Sequence, residues 1–316
     1  MSRPKSVRTG VAGAFVVAFT IVPAVPAVAQ APETQGTSIA MHLSSARVQT
    51  GTPVRVSGRV RRSFAGRQAV LQFRPARSAE WSNAGTVVID RRGRYRIARA
   101  IERSGTLRVV VPAPAGAATA ASSPSSPERA LLVTSRVALG ARRMDIKAGS
   151  VALLSGRIVP AVAGVRVALQ VERRGSWRTL DRARTRAGGA YTLRDRARQT
   201  VSAPARVVVV AHSGLATAYE PAGRLNVYRY AQASWYGPGF FGRQTGCGGR
   251  LGYSQFGVAH KTLPCGTRVT IRHNGRSVRV PVIDRGPYVG NREFDLTAVT
   301  ARRLGFVGHG AVLVTR

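Results

Sequence analysis

The chain is short of acid. Thirteen Asp and Glu stand against 49 Lys and Arg in 316 residues, for a net charge of +36. From Ala233 to the end the only acids are Asp284, Glu293 and Asp295, so acid–base chemistry there has few candidates. Cysteine is nearly absent too: Cys247 and Cys265 are the whole complement. Two cysteines and five scattered histidines do not make a structural zinc site. No metal and no cofactor is expected. No apolar run reaches the roughly 18 residues of a spanning helix. Aromatics make up 6% of the chain and fall in no stacking pattern. Recognition-helix and zinc-finger patterns are missing, and nucleic acid is therefore not expected as a partner.

What is present starts with an export pattern. Arg3, Lys5 and Arg8 precede the apolar run Val11–Val22, and Ala27-Val28-Ala29 is an A-x-A cleavage signal. Residues 1–29 read as a signal peptide, and no stable membrane insertion is expected after its removal. Losing Arg3, Lys5 and Arg8 lowers +36 to +33. That charge draws a secreted protein towards anionic wall polymers or membrane surfaces. An overall compositional bias to arginine is the bland source of the same excess. In an exported chain an even cysteine count suggests one disulfide, Cys247 to Cys265.

Hydrophobic content of 44% is enough for folded domains. Residues 30–38 are polar and read as a flexible segment. From Ile39 short strands and turn signals alternate with no sustained helical period. Residues 39–111 form a first β module. Residues 112–128, rich in Pro, Ala and Ser, read as a linker. Residues 129–230 form a second module that repeats the first. Ser57-Gly58-Arg59 matches Ser155-Gly156-Arg157, Gln72 matches Gln170, Trp81 matches Trp177 and Tyr95 matches Tyr191. Val165 to Val171 alternates as a half-buried strand does. Two tandem immunoglobulin-like β-sandwiches are the expected architecture. Their paired Trp and Tyr residues are expected in packing, with ligand stacking as the other possibility.

Residues 231–316 differ in character. Arg268–Ile271 and Ser277–Val280 flank Asn274-Gly275, a strong hairpin signal because both residues tolerate positive φ. The apolar strand Val280–Ile283 ends at Asp284, followed at once by Arg285-Gly286-Pro287-Tyr288. Thr297 to Leu304 reads as a helix, with Ala298, Ala301 and Leu304 facing in and Gly305 at its end. Asp284 is the leading acid–base candidate and Asp295 the second. Their structural alternatives are a turn residue for Asp284 and a helix cap for Asp295. Glu293 reads as a solvated loop charge. Trp235, Tyr236 and Tyr288, with Phe240 and Phe241, are candidates for stacking on sugar faces. His260, Lys261 and Arg285 are candidates for lining a groove.

The runs Ala233-Ser-Trp-Tyr-Gly237, Ala259-His-Lys-Thr-Leu-Pro264, Gly266-Thr-Arg-Val269, Asn274-Gly-Arg-Ser277, Asp284-Arg-Gly-Pro287 and Phe294-Asp-Leu296 resemble the rare lipoprotein A (RlpA) family. The resemblance covers the last quarter of the chain. It implies a six-stranded double-psi β-barrel with a short helix, similar to the first domain of expansins. It also implies lytic-transglycosylase-like cleavage of peptidoglycan glycan strands with the sugar's own 6-hydroxyl as nucleophile, for which Asp284 is the candidate to protonate the leaving oxygen and then take the hydroxyl proton. Asp295 matches the second acid of the expansin barrel. One departure stands out. Catalytic members carry a Glu after a Thr-x-x-Gly sequence in the first loop, whereas here Thr245-Gly-Cys-Gly248 runs into Gly249 and Arg250. This keeps a second class open: a non-catalytic expansin-like module that binds or loosens the wall.

Overall fold

The computed structural model describes residues 39–114 and 123–316. The signal peptide, the segment 30–38 and the middle of the 112–128 linker lie outside the described residues.

The fold is mostly β, and its strands bury alternate side chains in three separate cores. Eight strands serve the first core: β1 (Ala40–Leu43), β2 (Arg47–Gln49), β3 (Pro53–Arg59), β4 (Gln68–Pro75), β5 (Ser82–Val88), β6 (Arg94–Ala100), β7 (Gly105–Val110) and β8 (Arg129–Thr134). They form a three-stranded sheet, β1-β3-β6, and a five-stranded sheet, β2-β8-β7-β4-β5. Val54, Val56, Leu71, Leu107 and Leu131 are fully buried in this core.

The pairing moves the expected boundary at residue 129. β8 joins β7 antiparallel and β2 parallel, so it belongs to the first core. Leu131 and Val133 alternate inward there, which periodicity alone could not assign to one module or the other. The end of the linker also folds back, with Ser126 Oγ accepting from Val109 N–H at 2.9 Å.

The second core uses β9 (Arg136–Arg143), β10 (Asp145–Lys147), β11 (Val151–Val159), β12 (Arg166–Arg173), β13 (Ser176–Arg184), β14 (Ala190–Arg196), β15 (Val201–Val209) and β16 (Ala218–Tyr236). Here the repeat acquires a physical reason. Gly58 lies opposite Tyr95, and Gly156 lies opposite Tyr191. A Cβ on Gly58 would sit 2.4 Å from the Tyr95 hydroxyl, and one on Gly156 would sit 2.5 Å from that of Tyr191. Each Ser-Gly-Arg therefore leaves room for a tyrosine ring that crosses its strand. Both rings are core. Trp81 and Trp177 instead lie on outer faces, with arginine guanidinium groups stacked over them.

β16 is one 19-residue strand that runs across the boundary expected between residues 230 and 231. No Gly or Pro interrupts Arg224 to Tyr236, so the strand changes partners without ending. Residues 218–227 pair with β15, and residues 229–236 pair with the last domain. One sheet thus runs through two cores.

The last domain adds β17 (Val258–His260), β18 (Arg268–His273), β19 (Arg276–Asp284), β20 (Phe294–Thr297), α1 (Ala298–Leu304) and β21 (Gly310–Val314). The order β16-β20-β17-β19-β18-β21 closes through β21 onto β16, giving a six-stranded barrel. Asn274 and Gly275 have φ of 45° and 78°, as their hairpin requires. The helix begins at Ala298. Thr300, Ala301 and Leu304 are its buried residues, and Gly305 ends it at φ 65°. Thr300 replaces Ala298 on the inner face because its hydroxyl donates to Gly257 O at 3.0 Å. No helix among the described residues is long and apolar enough to cross a membrane.

Candidate functional site

Four barrel strands bring one residue each into a single rung. Ser234 of β16 pairs with Asp295 of β20, Asp295 with Ala259 of β17, and Ala259 with Asp284 of β19. The last pairing depends on an irregularity. Val258 lies opposite Val282, and in-register continuation would set Ile283 opposite Ala259. A register shift sets Asp284 there instead, and such bulges re-aim side chains. Asp284 and Asp295 are two strand spacings apart, roughly 10 Å between Cα atoms.

The two carboxyls live in different surroundings. Asp284 Oδ1 accepts from Gly246 N–H and Arg285 N–H, both at 2.7 Å. These bonds fix the carboxylate and leave Oδ2 out of them. Asp295 Oδ1 accepts from Ser234 Oγ at 2.8 Å. Burial raises its pKa, opposed by the Ser234 bond and Arg292, with the Asp284 charge adding to the rise. The helix-cap role is not adopted: Thr297 occupies the cap position, without a side-chain cap bond.

The Tyr236 hydroxyl is buried facing the Asp284 carboxylate, outside strict hydrogen-bond geometry. Burial, then the charges of Asp284 and Asp295, push its pKa up. Trp235 is exposed, and Phe240 packs edge-on to Tyr236 with centroids 5.9 Å apart. Tyr288 is 76% exposed, on the segment just after Asp284. Phe241 stacks on Tyr253 at 4.2 Å. Lys261 is exposed at the end of β17.

His260 and Arg285 are committed to the framework. His260 is buried, and its Nδ1 accepts from the backbone N–H of Thr262 and Leu263 at 3.1 and 3.0 Å. That bonding leaves the proton of the neutral ring on Nε2, 3.5 Å from Glu293 Oε1. Burial holds the His260 pKa down. Glu293 is no solvated loop charge. Arg229 grips both of its oxygens, Nη1 to Oε2 at 2.8 Å and Nη2 to Oε1, and that pair lowers the Glu293 pKa. Arg285 turns away from Asp284. Its Nη1 donates to Leu263 O at 2.8 Å and His260 O at 3.2 Å, and its Nη2 to Cys265 Sγ at 3.0 Å.

Cys247 and Cys265 form the disulfide, with Cα atoms 5.6 Å apart. It ties the Gly246 loop to the turn after β17. Gly246 must stay glycine, because a Cβ there would lie 2.6 Å from Arg285 Cγ. Sequence reasoning had no place for Gly246 or Ser234 in the site, although Ser234 lies within the Ala-Ser-Trp-Tyr-Gly run. Among the described residues, no group of three or more His, Cys, Asp or Glu is placed to hold a metal ion.

The raised Asp295 pKa has a consequence for stability. In an unfolded chain Asp titrates near 3.9. The native state holds its proton to higher pH, so folding loses stability as pH rises from about 3.9 through the raised native value. Asp295→Asn removes that cost and keeps an acceptor for Ser234. The variant is expected to melt higher than the parent at pH 7, with the difference closing below about pH 4. Thermal melts from pH 3 to 8 check this, and a lower Tm at pH 7 overturns it.

A closed six-stranded barrel, carrying two acids on one rung and a disulfide-tied loop, defines the class. Residues 229–316 match the family described as lytic transglycolase, and this region is an RlpA-like double-psi β-barrel domain. The chain is 50% identical over 80 residues to the probable endolytic peptidoglycan transglycosylase RlpA of Synechocystis, covering 25% of this chain and 25% of that protein. It is 41% identical over 141 residues to the endolytic peptidoglycan transglycosylase RlpA of Neisseria meningitidis serogroup B, covering 41% and 57%. The likeness to the RlpA of Aquifex aeolicus is 42% over 87 residues, covering 27% and 38%. The chain thus spans between a quarter and just over half of these relatives' length.

Proposed function

We propose that the chain is an exported cell-wall protein whose barrel cleaves peptidoglycan glycan strands as a lytic transglycosylase does, with Asp284 as the acid and base. The observation that carries this reading is the rung Ser234–Asp295–Ala259–Asp284, in which two backbone N–H groups aim the Asp284 carboxylate. The names of the relatives supply the substrate class. Asp284 protonates the leaving glycosidic oxygen and then takes the proton of the sugar's 6-hydroxyl as that oxygen closes on the anomeric carbon. Asp295 supports a divided form of the same step. As a carboxyl whose pKa is raised by burial, it gives the first proton, and Asp284 takes the second. Trp235, Tyr236 and Tyr288 bind sugar faces, with Lys261 at the groove's edge. His260 and Arg285 act by holding the loops in place.

Residues 39–134 and 136–228 are read here as tandem immunoglobulin-like sandwiches that hold out the barrel, with export by the N-terminal signal.

One observation favours a different class. The loop Thr245–Arg250 carries no acid, so the barrel has only the two rung carboxyls and Glu293, which Arg229 engages. An expansin-like binder needs no more than that. Incubating the mature protein with sacculi, and with glycan strands stripped of peptides, separates the two. Anhydromuramyl ends in the mass spectrum are expected. Wall pelleting with no products would replace the enzyme by the binder.

A further inference from the structure

A line of arginines runs along one face of the second module and continues onto the barrel. On β15, Ser202, Pro204 and Arg206 alternate onto the same face, and Pro204 lies opposite Arg224 of β16. Arg224 Nε donates to Ser202 Oγ at 3.2 Å. Ser202 Oγ in turn lies 3.1 Å from Thr270 Oγ1 of β18, across the junction. Thr270 is opposite Arg279, and Arg268 shares its face two residues earlier. Thr270 N–H also donates to Thr315 Oγ1 at 3.1 Å, which brings Arg316 alongside. Arg224, Arg268, Arg279 and Arg316 therefore gather around one threonine.

These arginines have no acid. The ion pairs among the described residues use Arg74, Arg229, His260 and Arg272, and none of these four. Burial, then the charges of Arg224, Arg268 and Arg316, push the Arg279 pKa down. Cations gathered in this way repel one another until an anion joins them.

The other end of the line is aromatic. The Arg206 guanidinium lies between two rings, 3.9 Å from the Trp177 centroid and 4.5 Å from that of Tyr219. Gln170 Oε1 accepts from its Nε and Nη2 at 2.9 and 2.8 Å. The rings stay accessible, 37% for Trp177 and 54% for Tyr219. Arg206 and Ser202 are four residues apart on one strand, about 13 Å. Arg224 is held by Ser202, its Nη2 donating to Ser202 O at 2.6 Å, and carries no carboxylate partner among the described residues. Rings at one end and guanidinium groups without a carboxylate at the other suit a ligand with both sugar faces and oxyanions.

We propose that this strip binds a linear anionic glycan, its sugar rings on Trp177 and Tyr219 and its carboxylate or phosphate groups on Arg224, Arg268 and Arg279. The strip crosses from module to barrel, so a bound polymer is led from the outer sheet towards the domain that carries the acids. It is distinct from the Asp284 site.

The test uses the full mature chain, with polygalacturonate and poly(glycerol phosphate) as probes and neutral dextran as the control. The triple variant Arg224→Ser, Arg268→Ser, Arg279→Ser is expected to lose at least tenfold in affinity for both anionic probes. The variant Arg91→Ser, Arg92→Ser, Arg302→Ser removes the same charge from exposed sites elsewhere and is expected to change affinity less than threefold. Trp177→Ala is expected to weaken polygalacturonate binding with little effect on poly(glycerol phosphate), which has no sugar ring to stack. Asp284→Asn is expected to bind as the parent does, which separates this inference from the catalytic one. Melting curves verify folding, and the single Arg279→Glu, at an exposed position of β19, serves if the triple variant is unstable. Equal losses in the two triple variants would reduce the binding to net charge and overturn the proposal. Dextran bound as tightly as the anions, or duplex DNA bound more tightly than either anionic probe, would also overturn it.

Discussion

Asp284→Asn is expected to suppress anhydromuramyl product release by about 10²–10⁴-fold, the range that one positioned acid–base group supplies. The substitution is nearly isosteric. Its amide oxygen still accepts from Gly246 N–H and Arg285 N–H, so the loop keeps its place. What is lost is the ability to give and then take a proton. Wall pelleting and Tm are expected to stay at the parent values, so the effect falls on turnover. Product release at the parent rate would remove Asp284 from the chemistry. The same measurement on Asp295→Asn then decides between the single and divided forms of the step. A comparable loss assigns the first proton to Asp295, and full activity leaves Asp284 to do both.

Reduction of the Cys247–Cys265 bridge, or its replacement by serines, is expected to have the largest effect on stability. The cysteines are 18 residues apart. Closing a loop of that size restricts the unfolded chain by about 3 kcal/mol in the chain-entropy account. For a domain of this size that corresponds to a Tm lower by roughly 10–20 °C. Function should fall with it for a local reason. The bridge holds the loop whose Gly246 N–H orients Asp284, and its Cys265 sulfur accepts from Arg285. Melting with and without reductant, alongside product release, checks both effects. Unchanged melting and unchanged turnover would mean that the loop is held without the bridge.

Some of this was decided by sequence alone, and in each case the signal is local. Asn274-Gly275 forces its hairpin because few other residue pairs accept two positive φ values. Gly305 ends its helix for the same steric reason. Strand alternation fixed the mostly β character, and the ordered motifs of the last quarter fixed the barrel. The acids could be picked out because the region has only three. Even the Gly58–Tyr95 and Gly156–Tyr191 couples were visible as a repeat, although their steric cause was not.

Tertiary structure decided whatever depends on partners far apart in the chain. Periodicity cannot tell which sheet a strand joins, so β8 was placed in the wrong module and β16 was split. Alternation along β19 does not reveal a shift in its pairing with β17, yet that shift sets Asp284 on the rung of Asp295. Arg285 and Glu293 were misread because a charged side chain's role is set by what it meets, and their partners are 22 and 64 residues away. The cluster of Arg224, Arg268, Arg279 and Arg316 exists only because one strand runs through two cores, bringing like charges together where the linear sequence keeps them apart.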